Sequence, residues 1–194
     1  MGVGSQLVYA VDAFDDATLQ NLSVPFTGDV PRKSRSVVVN SGAQLTVENC
    51  DLRGQVLAKE GAELRLKTSR VHESGKCGLL LSGTTHIKDC VVEGSLKHGI
   101  AVTATGQVTV SGTKVTSNSQ NGVQVEGDGA IKDSSITLNG WNGVAAWQRA
   151  EILRSKGICI IGDNVECSGN ILADYVTRAG HLPGAPQERI VVVD

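Results

Sequence analysis

Four side chains that could bind or hydrolyse a sugar lie at related positions in this sequence: Glu126, Asp128, Trp147 and Arg149. Glu126 and Trp147 fall at the same place in consecutive repeats, as do Asp128 and Arg149. Two carboxylates about 5–9 Å apart can act as acid and base in glycoside hydrolysis, and a tryptophan ring can stack on a sugar. The same residues also fit a surface tryptophan beside an ordinary salt bridge. The sequence leaves both interpretations open.

These side chains must be positioned by an internal repeat. The residue that follows each glycine or equivalent turn recurs at steps of 19, 23, 21, 23 and 21 residues. These residues are Val37, Val56, Leu79, Ile100, Val123 and Val144, with Val165 as a weaker seventh. A second short strand begins about eight residues later in each unit, and a third strand follows it. Repetition at such a period is typical of solenoids.

Three strands per unit predict an all-β fold, a right-handed parallel β-helix of about six to seven coils with three parallel sheets and terminal caps. The variable step favours the right-handed form, because left-handed β-helices keep a period of about 18 residues with little scatter. Composition agrees with many short strands, since 40 % of the residues are apolar, only 3 % are aromatic, and 23 glycines are available for turns. The length of 194 residues fits one domain.

The two ends of the chain are expected to cap the coils, because an open solenoid end exposes apolar core and unpaired strand edges. Leu7 to Arg35 fits an irregular first coil in which Ala17 to Val24 resembles the second and third strands, and Asp12 to Gln20 could instead form a short capping helix. Ile171 to Ala179 fits a short helix. Ile190 to Val193 is expected to be a last strand. The resulting division is a leader plus irregular N-terminal coil or cap at 1–35, coils at 36–170, and a C-terminal cap segment at 171–194.

Small side chains are expected to stack inside the corner where the third strand of each unit begins. The members of this ladder are Cys50, Ser69, Cys90, Thr113, Ser134 and Ser155, the last in a third strand at Ser155 to Gly157. Small, weakly polar residues fit a tight interior corner and can hydrogen-bond along the stack. The ladder therefore accounts for two of the cysteines without any catalytic role.

Two Asn-Gly-Val segments, Asn121-Gly122-Val123 and Asn142-Gly143-Val144, give the units a family likeness, together with Asp133 to Gly140 and the weaker His98-Gly99-Ile100. On these residues the chain resembles the parallel β-helix repeat of the pectin-lyase-like superfamily over roughly residues 36–170. The likeness is closest to the carbohydrate-binding and sugar hydrolase type of repeat. The resemblance implies either a secreted polysaccharide enzyme or an intracellular recognition platform, because the same fold serves both.

The outward-facing row of the first strands helps to distinguish an enzyme from a recognition platform, because enzymes of that superfamily use carboxylates on this face. The row is Val38, Leu57, Leu80, Ala101, Gln124 and Ala145. It is apolar at five of six positions and contains no pair of carboxylates, so it departs from the catalytic pattern. We therefore predict a non-enzymatic scaffold without catalytic residues, whose row binds a protein partner or a second copy. Carbohydrate binding or cleavage is the alternative function.

An apolar row of this length, about 25 Å at strand spacing, is large enough to need covering. The alternative to a partner is therefore a terminal segment such as Ile190 to Val193. Glu48, Arg65, Lys88 and similar residues on the second strands predict a solvated face there.

Charge and cysteine usage limit the partners and the compartment. A net charge of −2 gives no reason to expect nucleic acid or an anionic membrane, and no run approaches the ~20 apolar residues of a membrane span. Five cysteines without a C-x-x-C motif predict free, buried thiols in an intracellular, cytoplasmic protein. The four histidines, His72, His86, His98 and His181, show no metal-ligand spacing, so no metal or cofactor is expected.

Overall fold

The computed structural model describes residues 9–24, 35–147, 157–161, 166–168, 173–178 and 190–193. In chain order, the strands are β1 (Tyr9–Ala13), β2 (Ala17–Gln20), β3 (Ser23–Val24), β4 (Arg35–Val39), β5 (Gln44–Glu48), β6 (Asp51–Arg53), β7 (Gln55–Ala58), β8 (Glu63–Lys67), β9 (Arg70–His72), β10 (Leu79–Leu81), β11 (Thr84–Lys88), β12 (Val91–Glu93), β13 (Ile100–Val102), β14 (Gln107–Ser111), β15 (Lys114–Thr116), β16 (Val123–Val125), β17 (Asp128–Lys132), β18 (Ser135–Thr137), β19 (Asn142–Trp147), β20 (Gly157–Ile161), β21 (Glu166–Ser168), β22 (Ala173–Arg178) and β23 (Ile190–Val193). Those ranges contain no helix long and apolar enough to cross a membrane.

Successive strands enter three different sheets in turn, and each strand pairs in parallel with its counterpart in the next coil. The described strands form sheets of eight, eight and seven strands. This arrangement confirms the predicted all-β solenoid with three parallel sheets. Between β4 and β19, where the description is unbroken, the chain completes five turns, and the flanking strands make the coil count differ slightly from the expected six to seven.

The strand register places the apolar residues of the repeat in the core. The six aligned residues of the first sheet pair in chain order and are all completely buried: Val37, Val56, Leu79, Ile100, Val123 and Val144. The same core contains Leu45 and Leu64 of the second sheet and Leu52 of the third, all completely buried. In second-sheet strands such as β5 and β14, buried and accessible residues alternate with the period of two that a half-buried strand requires, whereas β4, β7 and β13 of the first sheet are buried at nearly every position.

The corner before each third-sheet strand combines one left-handed residue with the predicted ladder. Asn21, Asn49, Thr68, Asp89, Gly112 and Asp133 have φ between 45° and 57°. In the ladder, the Cys50 N–H donates to Ser69 Oγ at 3.0 Å, and Ser69 Oγ donates to the Lys67 carbonyl at 2.6 Å. Thr113 N–H donates to Ser134 Oγ at 3.2 Å in the same way. The ladder from Cys50 to Ser134 is thus confirmed, and Ser155 lies outside the described residues.

The N-terminal end is stranded rather than helical. β1 and β2 occupy Asp12 to Gln20 except for a three-residue turn, and they pair with β4 and β5. The helical alternative for this segment is therefore wrong, because its apolar residues continue the sheets.

The C-terminal strands belong to different sheets from those that the period predicts. Val144 pairs with Tyr175, a step of 31 residues where the preceding coil takes 21. Because this coil is longer, Gly157 begins β20 of the second sheet and not a third strand at Ser155 to Gly157. The first-sheet strand is β22, which replaces both the expected start at Val165 and the helix at Ile171 to Ala179.

Ile190–Val193 is a strand, as expected, but it extends the second sheet by pairing with β20. The proposal that this segment lies across the first-sheet row is therefore wrong.

Candidate functional site

A groove of about 360 Å³ lies on the outer face of the first sheet. Its floor contains Leu80, Ala101 and Gln124, which are neighbours in register on β10, β13 and β16. One wall is the turn that precedes these strands, with Cys77, Lys97, His98 and Gln120, and the other wall is the turn that follows them, with Thr103, Ala104, Thr105 and Glu126. We call this site the first-sheet groove.

The predicted partner-binding row supplies the floor of the groove but is less open than its apolar sequence implies. Val38, Leu57, Ala101 and Ala145 are exposed by only 3, 8, 8 and 0 %. Leu80 and Gln124 are half-buried. The accessible part of the row is therefore centred on these two residues, with Ala101 between them.

A ladder of buried side chains, which the sequence analysis missed, supports the wall that contains His98. Its members are Ser74, Ser95, Asn118 and Asn139, and each lies four residues ahead of a glycine: Gly78, Gly99, Gly122 and Gly143. Asn118 donates its backbone N–H to Asn139 Oδ1 at 3.2 Å and its side-chain amide at 3.0 Å. A Cβ on Gly99 would lie 2.6 Å from Val115 Cγ1, so the close approach requires glycine. The fixed spacing ahead of glycine is the signal that could have revealed this ladder.

His98 and Cys77 line the groove as uncharged groups. Burial, reinforced by the charge of Lys97, lowers the pKa of His98 from 6.5 to about 4. Its Nδ1 accepts the Asn121 backbone N–H at 3.2 Å, and its ring meets Trp141 edge-on with centroids 6.2 Å apart. Burial raises the pKa of the Cys77 thiol. The stacking of adjacent coils brings these two side chains into one groove.

The four predicted sugar-binding residues are only partly located by the structure. Glu126 lines the first-sheet groove. Asp128 begins β17 and lines a separate depression on the second sheet. Val125 pairs with Ala146. The residues that follow them, Glu126 and Trp147, therefore lie side by side along the backbone of adjacent coils. The Trp147 side chain and Arg149 lie outside the part that the structure describes.

A larger depression of about 460 Å³ lies at the corner between the second and third sheets. Several of its polar side chains have hydrogen-bond partners in the protein. Asn49 Nδ2 donates to Asn21 Oδ1 at 2.7 Å, and Arg70 Nε donates to Glu93 Oε1 at 2.8 Å. Because these polar groups already have partners, the first-sheet groove is the stronger candidate for a ligand.

The chemistry of the first-sheet groove is that of a binding surface. Glu126 is the one carboxylate among its described lining residues, so no acid–base pair is present there. The Cys77 thiol is stabilised in its protonated form and is a poor nucleophile. Among the described residues, no group of three or more His, Cys, Asp or Glu side chains is arranged to hold a metal ion.

Comparison with known proteins agrees with this architecture. The family described as a right-handed β-helix region matches residues 11–165, a span that includes the whole first-sheet groove. Comparisons with curated proteins and with solved structures gave no match. The matched span covers most of the coils. The family description agrees with the right-handed form that the repeat lengths favour. The chain therefore belongs to the right-handed β-helix family.

Proposed function

We propose that this protein is a non-enzymatic recognition scaffold that binds a protein partner, or a second copy of itself, in the first-sheet groove. The groove itself is the observation that supports this function. It has an aliphatic floor at Leu80 and Ala101 and walls rich in uncharged polar groups. One wall carries a lysine, and the opposite wall carries a carboxylate. Such a mixture of apolar and polar groups is typical of ligand-binding clefts.

The rigidity of the solenoid also favours recognition. Each floor residue is fixed by parallel pairing on both sides, and successive residues are spaced by the strand separation of about 4.8 Å. A site that is already ordered loses little conformational entropy when a ligand binds. The groove can therefore bind an extended segment without rearranging its own backbone.

Self-association is tested by sedimentation velocity over a wide range of protein concentration. We expect the parent to associate. Leu80→Lys should reduce association, because Leu80 lies on the accessible floor and the substitution places a charge there. The variant should stay folded, because the lysine stem can still cover apolar surface. Thr84→Lys, at an exposed site of the second sheet in the same coil, is the control.

A monomeric parent would direct the test to other partners by selection from a random peptide library. The proposal fails if the parent neither associates nor selects a peptide whose binding Leu80→Lys weakens.

Carbohydrate binding is the second candidate, supported by the position of Glu126 in the groove and of the Trp147 backbone beside it in register. The test is titration with pectin-, chitin- and glucan-type oligosaccharides while tryptophan fluorescence is followed, with Trp147→Ala as the control. A fluorescence change that this variant abolishes supports binding. Shortening of any polysaccharide by the pure protein would overturn the non-enzymatic proposal.

We further propose an intracellular, cytoplasmic location. This proposal is supported by Cys50, Cys77 and Cys90, which are free and buried. Free thiols of this kind are usual in reducing compartments. Localisation of a tagged full-length protein by fluorescence microscopy tests it, and secretion would contradict it.

A further inference from the structure

Two backbone N–H groups fix the direction of a hydrogen-bond network beside the first-sheet groove, because a backbone N–H can only donate. Asn142 N–H donates to the Asn121 side chain at 3.1 Å, which identifies the atom it meets as Oδ1. The other atom of that amide is therefore a donor, Nδ2, and it meets Gln124 at 3.2 Å. The Gln124 atom that accepts is Oε1. Its Nε2 is consequently the end of the amide left to donate elsewhere.

The same reasoning fixes the tautomer of His98. Asn121 N–H donates to Nδ1, so Nδ1 carries no proton. In the neutral ring the proton is then on Nε2, which makes that atom a donor. The lowered pKa of about 4 keeps the ring neutral at physiological pH.

The side chains of the groove that offer N–H donors include Lys97 through Nζ, His98 through Nε2 and Gln124 through Nε2. Lys97 adds a positive charge and is exposed. The complementary ligand group is an acceptor that carries negative charge. A carboxylate fits, because it only accepts hydrogen bonds and has two oxygens to share among several donors.

Building on the proposed function, we infer that the first-sheet groove binds an acidic peptide segment, with an aspartate or glutamate carboxylate against Lys97, His98 and Gln124. An apolar side chain next to that carboxylate packs on Leu80 and Ala101. This aliphatic floor suits a peptide better than a sugar ring, which prefers an aromatic face. Glu126 on the opposite wall disfavours a second carboxylate at that point and so gives the bound segment a direction.

The test starts with selection from a random dodecapeptide library on the parent protein. Each selected peptide is then synthesised together with its amide counterpart, in which Asn replaces Asp or Gln replaces Glu. We expect the selected peptides to share an acidic residue. Replacing that residue by Asn or Gln should weaken binding roughly ten-fold or more, since a charge-assisted hydrogen bond is about twice as strong as a neutral one. Raising the salt concentration should weaken the acidic peptide more than its amide counterpart.

Two variants test the donors directly. Gln124→Glu keeps an acceptor for Asn121 Nδ2 but replaces the donor by a negative charge, and Lys97→Gln removes the positive charge. Each should weaken the acidic peptide roughly ten-fold or more. Gln107→Glu and Lys114→Gln make the same changes at exposed positions on the second and third sheets and should leave binding unchanged.

The outcomes separate this inference from the proposed function. If peptides bind in a way that depends on Leu80 but is insensitive to the acidic residue and to Gln124→Glu, the inference is overturned and the proposed function stands. If no selected peptide depends on Leu80, the inference fails, and the proposed function then rests on self-association alone. Binding of an oligogalacturonate with the same variant sensitivity, without peptide binding, overturns the peptide and favours the carbohydrate alternative.

Discussion

At the scale of single residues, the chemistry of the first-sheet groove is set by contacts between coils. His98 looks isolated in the sequence. In the fold it lies between Cys77 and Asn121 of the adjacent coils and touches Trp141, which is 43 residues away along the chain. Its low pKa and its tautomer both follow from this stacking, so neither can be derived from the local sequence.

The first prediction concerns the pH dependence of stability that His98 contributes. Its pKa falls from 6.5 in the unfolded chain to about 4 in the fold, so between these values the unfolded chain binds a proton that the folded chain does not. The contribution is complete above pH 6.5 and is lost as the pH falls towards 4. Because the ring is half-buried, we expect a loss of about 1 kcal/mol, below the roughly 3 kcal/mol of an enclosed group.

Urea unfolding at a series of pH values measures this contribution. His98→Gln should flatten the profile between pH 6.5 and 4, because the titrating group is removed while an acceptor for the Asn121 N–H remains. His86→Gln, the same change at an exposed site on the second sheet, should leave the His98 contribution in place. Equal flattening by both variants would contradict the assignment.

At the scale of elements, the two buried ladders differ in how easily they are read from the sequence. Cys50 to Ser134 recur next to the apolar residues of the repeat, so their alignment follows directly from the period. Asn118 and Asn139 are four residues ahead of glycines, in the turns after the third-sheet strands, where no alternation of apolar and polar residues marks which side chains face inward. The strands that carry the groove floor were predictable for the same reason as the first ladder, whereas the groove wall was not.

The second prediction tests what the corner ladder contributes to stability. Ser69 accepts from Cys50 N–H and donates to the Lys67 carbonyl, and it is nearly completely buried. Ser69→Ala removes the acceptor of the Cys50 N–H, while the Lys67 carbonyl keeps its bond from the Asn49 N–H, and the change should lower the free energy of unfolding by about 1–2 kcal/mol. Ser69→Cys should cost less, because Cys90 in the next coil occupies the equivalent position and donates to its own corner carbonyl at 3.1 Å.

Urea unfolding of the two variants decides this prediction. The larger loss should belong to Ser69→Ala. If Ser69→Ala and Ser69→Cys are equally destabilised, size and not hydrogen bonding governs the corner.

At the scale of the whole molecule, a solenoid is predictable where its period is regular and unpredictable where one coil changes length. The first six aligned positions were correct because each coil repeats the core of the one before it. After Trp147 one longer coil places β20 and β21 in other sheets than the period predicts. Each described coil pairs with the coils directly before and after it. The stability of the solenoid is therefore built up from interactions between adjacent coils.

The third prediction uses one strand with two faces to test that construction. Ile136 is completely buried on β18, and its neighbour Ser135 is half-buried on the outer face. Ile136→Asp places an unpaired charge in the core at a cost of several kcal/mol, whereas Ser135→Asp leaves the charge near water. We expect Ile136→Asp to unfold the coils around β18 and Ser135→Asp to leave the protein folded.

Hydrogen exchange followed by mass spectrometry locates the damage. In Ile136→Asp, amides of β15 to β19 should lose protection first, while β5 to β9, several coils away, should keep more of theirs, because contacts in a solenoid are carried from coil to coil. Uniform loss over all coils would show that the domain unfolds as one cooperative unit. A soluble Ile136→Asp protein with unchanged stability would refute the register itself, since the side chain at that position would then have to face solvent.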